Sequence, residues 1–483
     1  MGPAHIASRL SVRVAASVFV LAFLLSTSAS VQAGLTYEQV IMSDGPTAYW
    51  RFEESSTSDP AADSATGDGA QNGAYVGTAA LVPGIVGRAV KVDPAGNGGE
   101  VSAPAVNMTA SFTAETWARS ETASWNAWGW MTNDRGANGF LTHPTMNSLS
   151  WQGYLMNNTA QYEQIGSHTP ADIQQWHHYA ITYDDATKTG RMYFDGVAVA
   201  TNASMTSVRD ATSTINVHMG RDGGSSGWDR KGDGSLDEVA IYQTALGPDR
   251  IRAHYFAPSG LAAFSGASDP NLDFSGYFVY AVNVGDLSGN VGATIGNATF
   301  TGQAVSGVEV NVENTFFPGW GPKPEYGSSP DDDALESIMH SIRYDSAGNA
   351  ALPGIEVNLD VTPGKLYLLQ LLFSENGYTT PGSRAFNIKI EDEMAYANLD
   401  GPAVTGPWSG NPTLGVVFTK RIRAGDDKLK ILLDPGTIYG NHDAILNAFT
   451  LELVPEPSTF VIFGLGAVLL LPLGLRFRRK KKT

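Results

Sequence analysis

Short runs of alternating apolar and polar residues, each closed off by Gly, Pro, Asp or Asn, recur along most of the 483-residue chain. In SFTAETWARS, Phe112, Ala114, Thr116 and Ala118 alternate with Thr113, Glu115 and Trp117. WHHYAITYDD and GRMYFDGVAVA follow, separated by a DDATKT turn and bent again at Asp195-Gly196. Further on, KLYLLQLLF, RAFNIKI and DKLKILL repeat the pattern between Pro/Gly breaks. A period of two puts successive side chains on opposite faces of a strand, so these segments specify antiparallel sheets with one face turned to a core. The fold class expected is all-β, with two consecutive β-sandwich (jelly-roll) domains.

Size and composition agree. The length suits two to three domains, and 53 glycines with 10% aromatic residues fit turn-rich β architecture. There is no cysteine, which excludes disulfides, thiolate catalysis and cysteine-bound metals. The net charge is −17, and the body is more acidic still, because eight cations lie in the two terminal segments. Nucleic acid is therefore excluded as a partner of the body, while cations and neutral sugars remain compatible.

The ends carry their own signals. Arg9 and Arg13 precede VAASVFVLAFLL, and VQA supplies a cleavage site after Ala33, which makes 1–33 a signal peptide for signal peptidase. At the other end an apolar run over 460–475 would make a transmembrane helix of about 24 Å, short for a hydrocarbon core of about 30 Å and interrupted by Pro472. The basic tail 476–482 should stay cytoplasmic, with the body outside. VPEPST, the apolar run and RFRRKKK, in that order, resemble a PEP-CTERM sorting signal over 454–483, with its motif at Pro455, Glu456 and Pro457 and its basic end at Arg478 and Arg479. That resemblance implies a Gram-negative source, an exosortase-type membrane protease as partner, transient anchoring in the inner membrane, and a final place at the cell surface or in extracellular matrix.

The body divides into 35–257 and 272–453, with 258–271 expected as a linker because its residues are small or are Pro and Gly. In the first part AYWRFEE, FTAETWAR, WHHYAITYD, MYFDGVAVA and GSLDEVAIYQTALGPDRI occur in the order of laminin G-like jelly rolls of the concanavalin A-like lectin/glucanase superfamily. In the second, AVNVG, IRY, YLLQLLFSE followed by GSRAFNI, and AILNAFTLE resemble a malectin-like domain of the galactose-binding-like fold. The FFPGWGPKPEYGSSPDDD stretch departs from that pattern.

No alternating Glu-x-Asp-x-x-Glu run of the kind laminarinase-like enzymes carry is present, so no catalytic residue is assigned. The nearest candidates for a catalytic carboxylate pair are Glu391 with Glu393 and Asp237 with Glu238; the competing readings are a solvated acidic turn for Glu391 and Glu393, and a fold-keeping hydrogen bond or ion site for Asp237. His177 and His178 point to opposite faces of a strand and cannot share a metal. Sugar binding needs aromatic faces with neighbouring carboxylates or amides. By position, the malectin resemblance implies Tyr344, Tyr378 and Asp443, to which the loop aromatics Tyr326 and Trp320 are added; the competing reading for each is a plug in its own loop. Trp128 and Trp130 share a strand face and form either a stacking platform or a hydrophobic sheet edge. Asp63, Asp222 and Asp233 supply hard oxygens in loops, for which Ca2+ is the expected ion.

Three functions stand side by side: a non-catalytic protein binding polysaccharide or another glycan, a glycoside hydrolase or lyase, and a structural or adhesive protein that binds other proteins.

Overall fold

The computed structural model describes residues 35–454 except 66–69, 93–98, 126–131, 146, 222–232, 312–313, 346–353 and 439–442. The signal peptide, the sorting tail with Pro455, Glu456, Pro457, Arg478 and Arg479, and the site candidates Trp128, Trp130 and Asp222 lie outside the described residues.

Two β-sandwiches follow one another. In the first, Phe112–Ser120 lies between His177–Asp184 and Gly234–Tyr242 in one sheet, although these strands are far apart in sequence. The opposing seven-stranded sheet includes Phe140–Pro144, Trp151–Met156, Ser213–Met219 and Glu100–Met108. Phe112, Ala114 and Ala118 point between the sheets and join Trp50, Trp125 and Trp151 in the core. Each such large side chain contributes roughly 1.5–3 kcal/mol when fully buried.

The other face of Phe112–Ser120 is buried as well. Helix α1 (Tyr37–Ser43) and helix α2 (Pro248–Phe256) lie over it, enclosing Trp117 with Tyr37, Ile41, Tyr49 and Tyr242. Thr36 and Gln39 form a capping box at the start of α1, and Pro248 occupies the first turn of α2, where its missing N–H costs nothing. Glu115, fully enclosed here, accepts from Tyr242 Oη at 2.6 Å and pairs with His254 Nδ1 at 2.9 Å and His178 Nε2 at 3.2 Å. His254 Nε2 meets Asp44 at 2.7 Å, fastening α2 to the end of α1.

The second sandwich sets a seven-stranded sheet built around Gly415–Arg423, Leu366–Phe373 and Ala448–Leu453 against a five-stranded sheet built around Ile355–Asp360, Lys428–Pro435 and Phe386–Ile390. Leu366–Phe373 is buried along nearly its whole length. Leu369, Leu371 and Phe373 face the sandwich interior, and Leu372 faces a second apolar layer under helix α3 (Pro330–Met339). The sequence pattern assigns no element to the residues of α3; Ser329 and Asp332 start it with a reciprocal capping box.

The expected linker 258–271 is corrected. Leu261–Phe264 is a strand of the second sandwich, paired antiparallel with Gly415–Arg423, and Phe264 is fully buried. The connection shrinks to the turn Ala257–Ser259 and Gly260, whose φ of +78 suits glycine. Four residues between Pro/Gly signals are too few to show a period.

Candidate functional site

The site grows from the short three-stranded sheet at one end of the second sandwich, where Ile342–Tyr344 lies between Asn314–Phe316 and Ile445–Leu446. Pairing sets Tyr344 opposite Ile445, and the Asp345 N–H donates to the Ala444 carbonyl at 3.0 Å. Asp443 is thereby held beside the strand that carries Tyr344. The Phe316 ring stacks on Tyr344 at 5.3 Å between centroids and 13° between planes. Phe316 remains 47% exposed and its neighbour Phe317 52%, so the pair presents an aromatic face to solvent.

Arg384 ties this strand to the loop after Leu366–Phe373. Its Nη1 donates to the Asp443 carbonyl at 3.2 Å, its Nε meets Glu375 Oε2 at 3.0 Å, and its guanidinium carbon lies 4.9 Å from the centre of the Tyr378 ring. Glu375 Oε1 accepts the backbone N–H groups of Gly377 and Tyr378, both at 3.0 Å. Burial pushes the Glu375 carboxyl above its ordinary pKa, although Arg384 and those two N–H groups pull it down. The half-buried Trp320 completes this end. Its N–H donates to the His340 carbonyl at 3.0 Å, and its carbonyl accepts from Asn376 Nδ2 at 3.1 Å. A Cβ on Gly377 would stand 3.5 Å from the Trp320 ring, so this loop backbone lies against that aromatic face.

The structure thus brings together Tyr344, Tyr378, Asp443 and Trp320, and it separates Tyr326 from them. Tyr326 is a core residue: 7% exposed, edge-on to Phe264 at 5.3 Å, with its hydroxyl on Ser374 Oγ at 3.0 Å. No face of it is left for a ligand. Sequence reasoning missed Arg384, Glu375 and Phe316. The Glu of LLFSE and the Arg of GSRAF were in view, but nothing in their spacing said that they pair.

In the first sandwich, Asp63 binds backbone. Oδ1 accepts the N–H groups of Tyr49 at 2.8 Å and Ala65 at 2.9 Å, and Oδ2 accepts that of Gln71 at 2.9 Å. These bonds shape its loop. Asp233 is half buried at the entry to Gly234–Tyr242. Among the described residues no group of three or more His, Asp or Glu side chains is arranged to hold a metal ion.

Asp237 and Glu238 are fully buried at a bulge in Gly234–Tyr242. Asp237 Oδ2 accepts the N–H groups of Ile85 at 2.9 Å and Val86 at 3.2 Å. Glu238 accepts the Tyr49 hydroxyl and pairs with Arg51 at 3.5 Å. Glu391 sits exposed in a turn with φ +53. His177 turns to Asp195 at 2.8 Å while His178 turns to Glu115, on opposite faces of their strand.

Residues 95–252 match the family model of the concanavalin A-like lectin/glucanases superfamily, and residues 453–480 match that of the PEP-CTERM protein-sorting motif. No curated protein sequence matches. Among solved structures, domain 4 of AbnA, a GH43 extracellular arabinanase from Geobacillus stearothermophilus in complex with arabinotriose, is 17% identical, with 44% of this chain and 98% of that one covered at a TM-score of 0.33. The ANXUR1 extracellular domain from Arabidopsis thaliana is 12% identical, with 81% and 92% covered at a TM-score of 0.31. The binding domain of botulinum neurotoxin serotype D is 12% identical, with 70% and 76% covered at 0.34. Among the described residues no helix is long and apolar enough to cross a membrane. The sorting match supports export and membrane-associated sorting of a chain that carries a concanavalin A-like lectin/glucanase segment in an all-β body.

Proposed function

We propose that this is an exported, non-catalytic carbohydrate-binding protein of the cell surface or extracellular matrix, released from transient membrane anchoring by an exosortase-type protease. The observation that carries the reading is the convergence at one end of the second sandwich of the Phe316–Tyr344 stack with Tyr378, Arg384, Glu375 and Asp443. Aromatic faces cover the apolar C–H surface of a pyranose, while carboxylate and guanidinium groups fix its hydroxyls. The match to a lectin/glucanase superfamily in the first sandwich supports a second glycan-binding module on the same chain.

A glycan array and polysaccharide pull-down, with and without CaCl2, test the reading. Binding should fall at least tenfold in Tyr344→Ala and Tyr378→Ala, while Tyr162→Ala, at a 67% exposed position of the first sandwich, leaves this site unchanged. Absence of binding to every glycan would sink the proposal, and release of reducing ends from a bound polysaccharide would replace it with the hydrolase or lyase reading. Capture of a protein partner without competition by sugar would favour the adhesive one.

A further inference from the structure

A second place in the chain has polar groups that the fold leaves unsatisfied. On the outer face of the seven-stranded sheet of the second sandwich, Glu452 is fully buried and, among the described residues, neither of its carboxylate oxygens has a hydrogen-bond partner. The segment 271–277 roofs it. A Cβ on Gly276 would stand 2.0 Å from the Glu452 carboxyl, so the bare glycine backbone is pressed against that group. The same segment is fixed to the sheet through Gln370, whose Oε1 accepts the Asp273 N–H at 3.1 Å and whose Nε2 donates to the Asn271 carbonyl at 3.3 Å.

Asp273 is 4% exposed. Its Oδ1 accepts the Ser275 N–H at 2.9 Å and the Ser275 hydroxyl at 2.7 Å, and its Oδ2 has no partner among the described residues. Thr450, two residues before Glu452 on the same strand face, is buried with an unpartnered Oγ1. Four hard oxygens from three side chains therefore stand unsatisfied around one patch. An unsatisfied buried carboxylate is costly and an unpaired buried charge more so, so such a group calls for a proton or a cation. Burial and the neighbouring Asp273 both disfavour the charged form of the Glu452 carboxyl. A bound divalent ion reverses both of those influences.

We propose that Asp273 and Glu452 bind a calcium ion beneath the 271–277 segment, with Glu452 bidentate and Asp273 through Oδ2. Calcium takes six to eight oxygens in adaptable geometry and accepts bidentate carboxylates, which suits a site of two carboxylates, a hydroxyl and water better than the strict octahedron of magnesium does. The consequence is mechanical. Segment 271–277 leads out of Pro270 and Asn271, which with Leu368 and Arg421 line a cleft of about 480 Å3 between the two sandwiches. An ion that clamps the segment sets one wall of that cleft. Asp63, Asp222 and Asp233, the calcium ligands expected from the sequence, are not part of this ligand set.

The test uses purified full chain stripped with EDTA and titrated with CaCl2, with MgCl2 as control, followed by thermal unfolding. Calcium should raise the Tm by several degrees, and magnesium should do so much less. Glu452→Gln and Asp273→Asn should each abolish the calcium response while their calcium-free Tm stays at or above that of the wild type, because each removes an unpaired buried carboxylate. No calcium response in the wild type, or a response that survives in both variants, overturns the proposal. An increase in calcium-free Tm alone, with no calcium response in the parent, assigns the pair to a shared proton and equally overturns it.

Discussion

Glu115 shows how a single buried charge decides local architecture. Burial alone would drive this carboxylate neutral, but its partners His254 and His178 hold it well below the usual carboxylate range, and the Tyr242 hydroxyl donates to it as well. Breaking a buried pair by removing one partner costs about 3–5 kcal/mol; Glu115→Ala is expected to lose that much stability, measured by urea denaturation. His254 gives the complementary pH dependence. Its imidazolium is penalised by burial, yet Glu115 and Asp44 raise its pKa to about 9. A folded value above the unfolded one of about 6.5 means stability fully present below pH about 6.5 and lost as pH rises through about 9. Glu238 acts in a lower window. Burial raises it to about 7 against the help of Tyr49 and Arg51, so its ionisation costs stability as pH rises from about 4.5 through 7. The Tm of the wild type should decline in both windows, with Glu238→Gln flattening the first and His254→Gln the second. An unchanged slope in either variant would refute the corresponding assignment.

Elements in this chain are defined by what covers them. The alternation in SFTAETWARS and KLYLLQLLF reads as one buried and one open face, yet both strands are covered on both sides. Periodicity reports which residues share a face and says nothing of what packs on it. The strand pattern, the Asp195-Gly196 turn with both residues at positive φ, and Pro248 at the head of α2 were all legible. Helix α3 was hidden inside a Pro/Gly-rich stretch, even though Ser329-Pro330 is an ordinary helix start. Ser329→Ala should cost about 0.5–2 kcal/mol through loss of the cap, visible as a lower urea midpoint with an unchanged slope. In Leu261–Phe264, Phe264→Ala should cost about 3–5 kcal/mol as a cavity in the layer under α3. A linker residue would show almost nothing.

For the molecule as a whole, α2 is the piece both sandwiches share. Ile251 packs with Ala180 and Tyr193 of the first, His254 binds Glu115, and Phe256 enters the core cluster of the second. The two domains are therefore expected to unfold together in one calorimetric transition. Phe256→Ala, which empties the second core at the seam, should split that transition into two. Sorting is a property of the whole chain as well. Replacing Pro455, Glu456 and Pro457 with alanine should leave the protein in the membrane fraction, and unchanged release would count against processing at that motif.

From the sequence alone came the all-β class, the two sandwiches, the sorting tail and four positions of the candidate site: Tyr344, Tyr378, Asp443 and Trp320. These are local patterns of period, composition and motif order, and each can be read within a short window. The tertiary structure decided the rest. It put Tyr326 into the core, turned the linker into a strand, gave Asp63 to backbone N–H groups, and joined Glu375 to Arg384 and Glu452 to Asp273. Those outcomes depend on contacts between residues far apart along the chain, and a buried charge takes its meaning only from the partner that folding brings to it.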